Sequence, residues 1–129
     1  MIPRLNISFS MKNQWVFCFG QAYSPAKGEY LLNHARSGIV MALCAALPEG
    51  GRVGVVAYNC HTVANAVVES GCTPIFVDVT EDLHMDVQHL ARLQLDAIVV
   101  TNLFGIHNDI AAIRAAQPNA IIIVDNAHG

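Results

Sequence analysis

Apolar residues in this 129-residue chain fall into short unbroken runs separated by polar turns, and the runs predict strands alternating with helices. Val53–Ala57, Thr73–Val77, Ala97–Thr101 and Ile121–Val124 are rich in β-branched residues. Runs of that length and composition suit strands buried on both faces of a sheet. Between them the period changes: Val63, Ala66, Val67 and Ser70 fall at helical spacing across Thr62–Glu69, and Gly71 closes that helix. A short helix follows from Asp86 to about Leu93, with Leu90 and Leu93 inward. Another runs from a cap at Asn108 or Asp109 to Ala116, ahead of Pro118. The longest apolar run, Ile39–Leu47, ends at Pro48 and reads as a buried helix with Ser37 as its N-cap.

Strands joined through helices by short loops imply right-handed βαβ units and a three-layer α/β/α domain with a mostly parallel sheet. The expected strand order is 73–77, 53–57, 97–101, 121–124. The outer edge of the last strand is expected to be open, and an open apolar edge invites pairing with another chain, hence self-association. Residues 1–33 show no sustained period, and their aromatics Phe9, Trp15, Phe17, Phe19, Tyr23 and Tyr30 are scattered among turn formers. They read as an irregular arm with at most one short helix, which leaves 34–129 as the folded unit.

Composition narrows the function classes. The chain is 53% hydrophobic and only 13% charged, against about 25% charged in an average domain, so more protein is expected to cover it. No apolar run approaches the roughly 18 residues of a membrane span. A net charge of −3 with scattered Lys and Arg argues against nucleic acid. The N-terminus lacks the marks of a signal peptide. Cys18, Cys44, Cys60 and Cys72 form no C-x-x-C pair, which suits reduced, buried thiols in a cytoplasmic protein. His84, Asp86 and His89 match no zinc spacing and read as a solvated helix start, so no metal is expected.

Ligands of open α/β sheets bind beyond the carboxyl ends of the strands. Three loops should gather there: Tyr58–His61, Asn102–Gly105 and Asp125–His128. The Ser37-Gly38 helix start adds unpaired N–H groups that suit an anion, or else Ser37 is a simple cap. No G-x-G-x-x-G follows a strand and no G-x-x-x-x-G-K-[ST] occurs. The set suits a phosphorylated, nitrogen-containing cofactor better than a nicotinamide dinucleotide.

Ala35-Arg36-Ser37-Gly38, Ala57-Tyr58-Asn59-Cys60-His61, Gly71 to Asp78, Asn102-Leu103-Phe104-Gly105 and Asp125-Asn126-Ala127-His128 stand in a telling order. Through them the chain resembles the N-terminal part of a pyridoxal-phosphate-dependent, fold-type-I aminotransferase of the DegT/DnrJ/EryC1/StrS family. The resemblance implies that Ser37 and Gly38 bind the cofactor phosphate and that Asp125 pairs with the pyridine nitrogen. It places His128 beside the ring hydroxyl and Asn102 near the same face. Cys60 stands where many members stack an aromatic on the ring.

The resemblance further implies a homodimer acting on an amino-acid donor and a keto-sugar nucleotide. It puts the catalytic lysine beyond Gly129; Lys12 and Lys27 match no catalytic position, so this chain alone is expected to be inactive. Two other readings stay open: a non-catalytic remnant that binds phosphate or a partner, and an unrelated doubly wound domain.

Overall fold

The strongest apolar runs form the middle of the sheet, where each strand is covered on both sides. The computed structural model describes residues 5–10, 14–19, 32 and 34–128. In chain order the elements are β1 (Leu5–Ser10), β2 (Gln14–Phe19), α1 (Ala35–Ala46), β3 (Arg52–Val56), α2 (His61–Glu69), β4 (Thr73–Val77), α3 (Val87–Leu90), β5 (Ala97–Thr101), α4 (Ile110–Ala116) and β6 (Ile121–Asp125). They build one sheet of order β1-β2-β6-β5-β3-β4. The run β4, β3, β5, β6 is parallel and in the order expected from the sequence.

Alternation along the strands divides two cores. Val53, Val55, Ala97, Val99 and Ile123 pack with Ile39, Leu43, Val63 and Val67 of α1 and α2. Val56, Ile98, Val100, Ile122 and Val124 pack on the opposite face with Leu90 of α3 and Ile113 of α4. The result is the three-layer α/β/α arrangement, and no helix among the described residues is long and apolar enough to cross a membrane.

Turn chemistry sets the element ends. Asp86 caps α3, its Oδ1 accepting from Gln88 N at 2.8 Å and His89 N at 3.1 Å. Of the two candidates for the α4 cap it is Asp109, whose Oδ1 accepts from Ala112 N at 3.0 Å. Gly71 follows α2 at φ +79°, a left-handed conformation that glycine adopts without steric cost.

Four expectations are corrected. The segment read as an irregular arm contributes two strands, β1 and β2, joined as an antiparallel pair. β2 then runs parallel to β6, Gln14 opposite Ile122 through Phe17 opposite Asp125, so the β6 edge expected to be open is paired. A buried strand's peptide groups need partners, and β2 supplies them. Ser37 is not the helix cap: α1 starts at Ala35 with His34 as N-cap, and Ser37 N is already bonded to His34 O at 3.1 Å. Of the described cysteines, Cys44 and Cys60 are exposed and only Cys72 is buried.

Candidate functional site

Parallel register brings the ends of β5 and β6 level, with Thr101 opposite Asp125. Both continue the alternation of Val99 and Ile123, so both face the α1/α2 side of the sheet. Asp125 is only 4% exposed. Its Oδ1 accepts from Ala127 N at 3.0 Å. Asn59, in the loop after β3, donates from Nδ2 to Thr101 Oγ1 at 2.8 Å. Burial pushes the Asp125 carboxyl above its ordinary value; the Ala127 amide, the charge of His128 and the Thr101 hydroxyl act in the opposite direction.

Above Asp125 lies a cleft of about 170 Å³ whose walls include Arg36, Asn59, Cys60, Thr101 and His128. A larger hollow, about 260 Å³, lies on the opposite face beside His84, His107 and Asn108. Its buried amide is spoken for: Asn108 Oδ1 accepts from Met85 N at 2.7 Å, and Nδ2 donates to Thr101 O and Asn102 Oδ1, each at 3.2 Å. The carboxylate, the thiol and an arginine share the smaller cleft, which is therefore the better candidate for chemistry.

The residues singled out from the sequence divide between cleft and scaffold. Asp125, His128 and Cys60 line the cleft. The exposed His128 ring lies 6.1 Å from that of Phe104 between centroids, tilted by 43°. Cys60 is the N-cap of α2, and hydrogen bonds from the Thr62 hydroxyl, at 3.1 Å, and the Thr62 backbone hold its thiol below the ordinary cysteine value. Gly38 is buried in the α1 core face and Ser37 is half-buried; the cleft meets α1 at Ala35 and Arg36 instead.

Asn102 sits one residue past Thr101, on the other side of the strand end. Its Oδ1 accepts from Asn108 N at 2.9 Å, while Nδ2 donates to Asn126 Oδ1 and lies 3.3 Å from His107 Nδ1. This amide ties the β5 and β6 loops together rather than lining the cleft. The sequence reading missed Thr101, Asn59 and Arg36. Period-two alternation back from Asp125, together with the level ends of neighbouring parallel strands, was the signal for Thr101; Asn59 and Arg36 stood inside the motifs that carry the resemblance but were given no role of their own.

The model of the DegT/DnrJ/EryC1/StrS aminotransferase family matches residues 23–129. A sugar aminotransferase from Micromonospora echinospora superposes with a TM-score of 0.64 at 25% identity, over 71% of this chain and 29% of that one. PseC of Helicobacter pylori, an aminotransferase involved in the biosynthesis of pseudoaminic acid, gives 0.67 at 22% identity, over 75% and 28%. The E. coli GDP-4-keto-6-deoxy-D-mannose-3-dehydratase with bound hydrated PLP gives 0.61 at 23%, over 70% and 27%. This chain thus spans less than a third of the length of each. No curated protein sequence matches it.

Proposed function

This chain belongs to the DegT/DnrJ/EryC1/StrS aminotransferase family, and from that premise we propose that it forms the front of a pyridoxal-phosphate site in a sugar aminotransferase. The observation that carries the reading is Asp125: a carboxylate buried at a strand end, facing a cleft, with no lysine or arginine paired to it among the described residues. A buried carboxylate calls for a cationic hydrogen-bond donor. The protonated pyridine nitrogen of the cofactor is such a group, so the residues fit it.

When bound, pyridoxal phosphate supplies an electron sink for bonds at the substrate's amino-bearing carbon. Asp125 holds the proton at the ring nitrogen through a charge-assisted hydrogen bond, a contribution of about 1.5–3 kcal/mol. His128, at the rim, is the partner for the ring hydroxyl. Cys60 forms part of the wall. Arg36 and the first amides of α1 offer positive charge to a phosphate, with Ser37 and Gly38 in the same turn. Asn102 supports the loops that carry these groups.

The full reading is transfer of an amino group from an amino acid to a keto-sugar nucleotide, by a homo-oligomer in the cytoplasm. Family membership supports the substrate classes. The test is an absorbance titration with pyridoxal phosphate, beside the Asp125→Ala variant. Saturable binding with a shifted band, weakened at least tenfold by Asp125→Ala, is the expected result. A wild-type chain that leaves the free cofactor spectrum unchanged at millimolar concentration would count against the reading.

A further inference from the structure

Part of the cleft wall is nucleophilic and has no task in holding a ring nitrogen or a phosphate. Cys60 is the N-cap of α2, a helix of nine residues, and it is exposed. Its sulfur therefore stands where a capping oxygen would, beside the first free amides of the helix. The Thr62 hydroxyl donates to Cys60 Sγ at 3.1 Å, and Arg36 lines the same cleft. A helix N-terminus, a hydrogen-bond donor and a nearby cation each favour the thiolate, the form that attacks electrophiles. His61 and His128 add to this when protonated, and Asp125 opposes it when ionised. Cys44 is exposed too, but in the last turn of α1, where its thiol is a donor, to Ser70 O at 4.0 Å. Cys72 is buried.

A second observation marks the cleft as a place for an occupant. Asp125 is 4% exposed and lines it, with Oδ1 bonded to Ala127 N, while no hydrogen bond reaches Oδ2 among the described residues. A buried carboxylate oxygen without a donor suits an ammonium group, and Arg36 suits a carboxylate. Groups of both kinds occur together on amino-acid-derived thiols and their disulfides.

We propose that Cys60 is a site of reversible mixed-disulfide formation with a small amino-acid-derived disulfide, and that the tethered group closes the cleft. The Cys60 thiolate attacks one sulfur of the disulfide. A new S–S bond forms as the old one breaks, and the electron pair leaves on the second sulfur, which takes up the proton that Cys60 gave up. Cys60 is oxidised as the departing thiol is reduced, and an added thiol reverses both changes. Only the consequence, that closure excludes pyridoxal phosphate, rests on the cofactor reading.

The experiment treats the full chain with iodoacetamide and, separately, with glutathione disulfide, and maps the modified residues by mass spectrometry. At neutral pH Cys60 is expected to alkylate at least about tenfold faster than Cys44, with part of that excess lost in Thr62→Val and regained in Thr62→Ser. Glutathione disulfide should add one glutathionyl group, at Cys60, removable by dithiothreitol. In a carboxyl carbon NMR titration the adduct should lower the Asp125 midpoint by roughly one pH unit, since an ammonium in the cleft favours the ionised form. Pyridoxal phosphate binding should weaken at least tenfold on the same treatment, which should leave Cys60→Ala as it was. Alkylation of Cys60 no faster than of Cys44, or a glutathionyl group placed elsewhere, overturns the site. An unmoved Asp125 midpoint in the adduct overturns the closure. An unmodified chain that binds no pyridoxal phosphate, yet forms the adduct with a lowered midpoint, upholds this inference and removes the cofactor reading, so the two fail separately.

Discussion

A carboxylate buried among apolar neighbours and bonded only to neutral donors ties folding to pH. Burial raises the folded-state pKa of Asp125 above that of an unfolded aspartate, about 3.9. The folded chain therefore binds this proton more tightly, and the associated stability is fully present below the unfolded value and lost as pH rises through the folded one. Asp125→Asn keeps an acceptor for Ala127 N but does not titrate. Melting curves should place this variant above wild type at neutral pH, with the gap closing toward about pH 3–4; a gap independent of pH would contradict the argument. Asn102 gives the opposite expectation. Asn102→Ala strips the amide on which Asn108 and Asn126 depend, and denaturant unfolding should show a loss of about 1–3 kcal/mol. Family resemblance placed Asn102 beside the cofactor, whereas strand parity turns it to the other side and puts Thr101 in the cleft.

At the scale of elements, ends decide more than middles. Aspartates cap α3 and α4, and Asp109→Ala should cost about 1 kcal/mol in chemical denaturation. The turn Leu103–Ile106, closed by Ile106 N to Leu103 O at 2.8 Å, carries Phe104 at φ +53°, 65% exposed, beside Gly105 at φ +78°. A left-handed phenylalanine is strained by about 1–2 kcal/mol. Phe104→Gly should therefore leave stability unchanged or higher by up to about 1 kcal/mol, despite losing the ring beside His128. Strands β3 to β6 and helix α2 were legible because their period was unbroken. The start of α1 was misplaced because serine is a good cap in isolation, while here the chain enters the helix three residues earlier. The first strand was missed: residues 1–33 read as an irregular arm, although Leu5-Asn6-Ile7-Ser8-Phe9-Ser10 alternates apolar and polar at every step.

For the molecule as a whole, the decisive contact is β2 on β6. It closes the edge of the strand that carries Asp125 and places the N-terminal strands beside the site. Hydrogen exchange should find β6 amides as protected as those of β5. Removing residues 1–20 should expose that edge, speed exchange in β6 and promote association of the shortened chain, measurable by light scattering. Without an open β6 edge, the original reason to expect self-association is gone, and any oligomer must form elsewhere.

Local pattern was enough to determine the alternation of strands and helices, the three layers and the presence of Asp125 at a strand end. Each of these follows from the periods of 2 and 3.6 and from the handedness of βαβ units, which act over a few tens of residues. Only tertiary structure decided that β2 completes the sheet, that Thr101 and not Asn102 shares the face of Asp125, and that Asn59 reaches it from another loop. Those facts depend on pairing register and on hydrogen bonds between residues 24 to 42 positions apart, which no local pattern encodes because the free energy that selects them comes from burying and pairing groups distant along the chain.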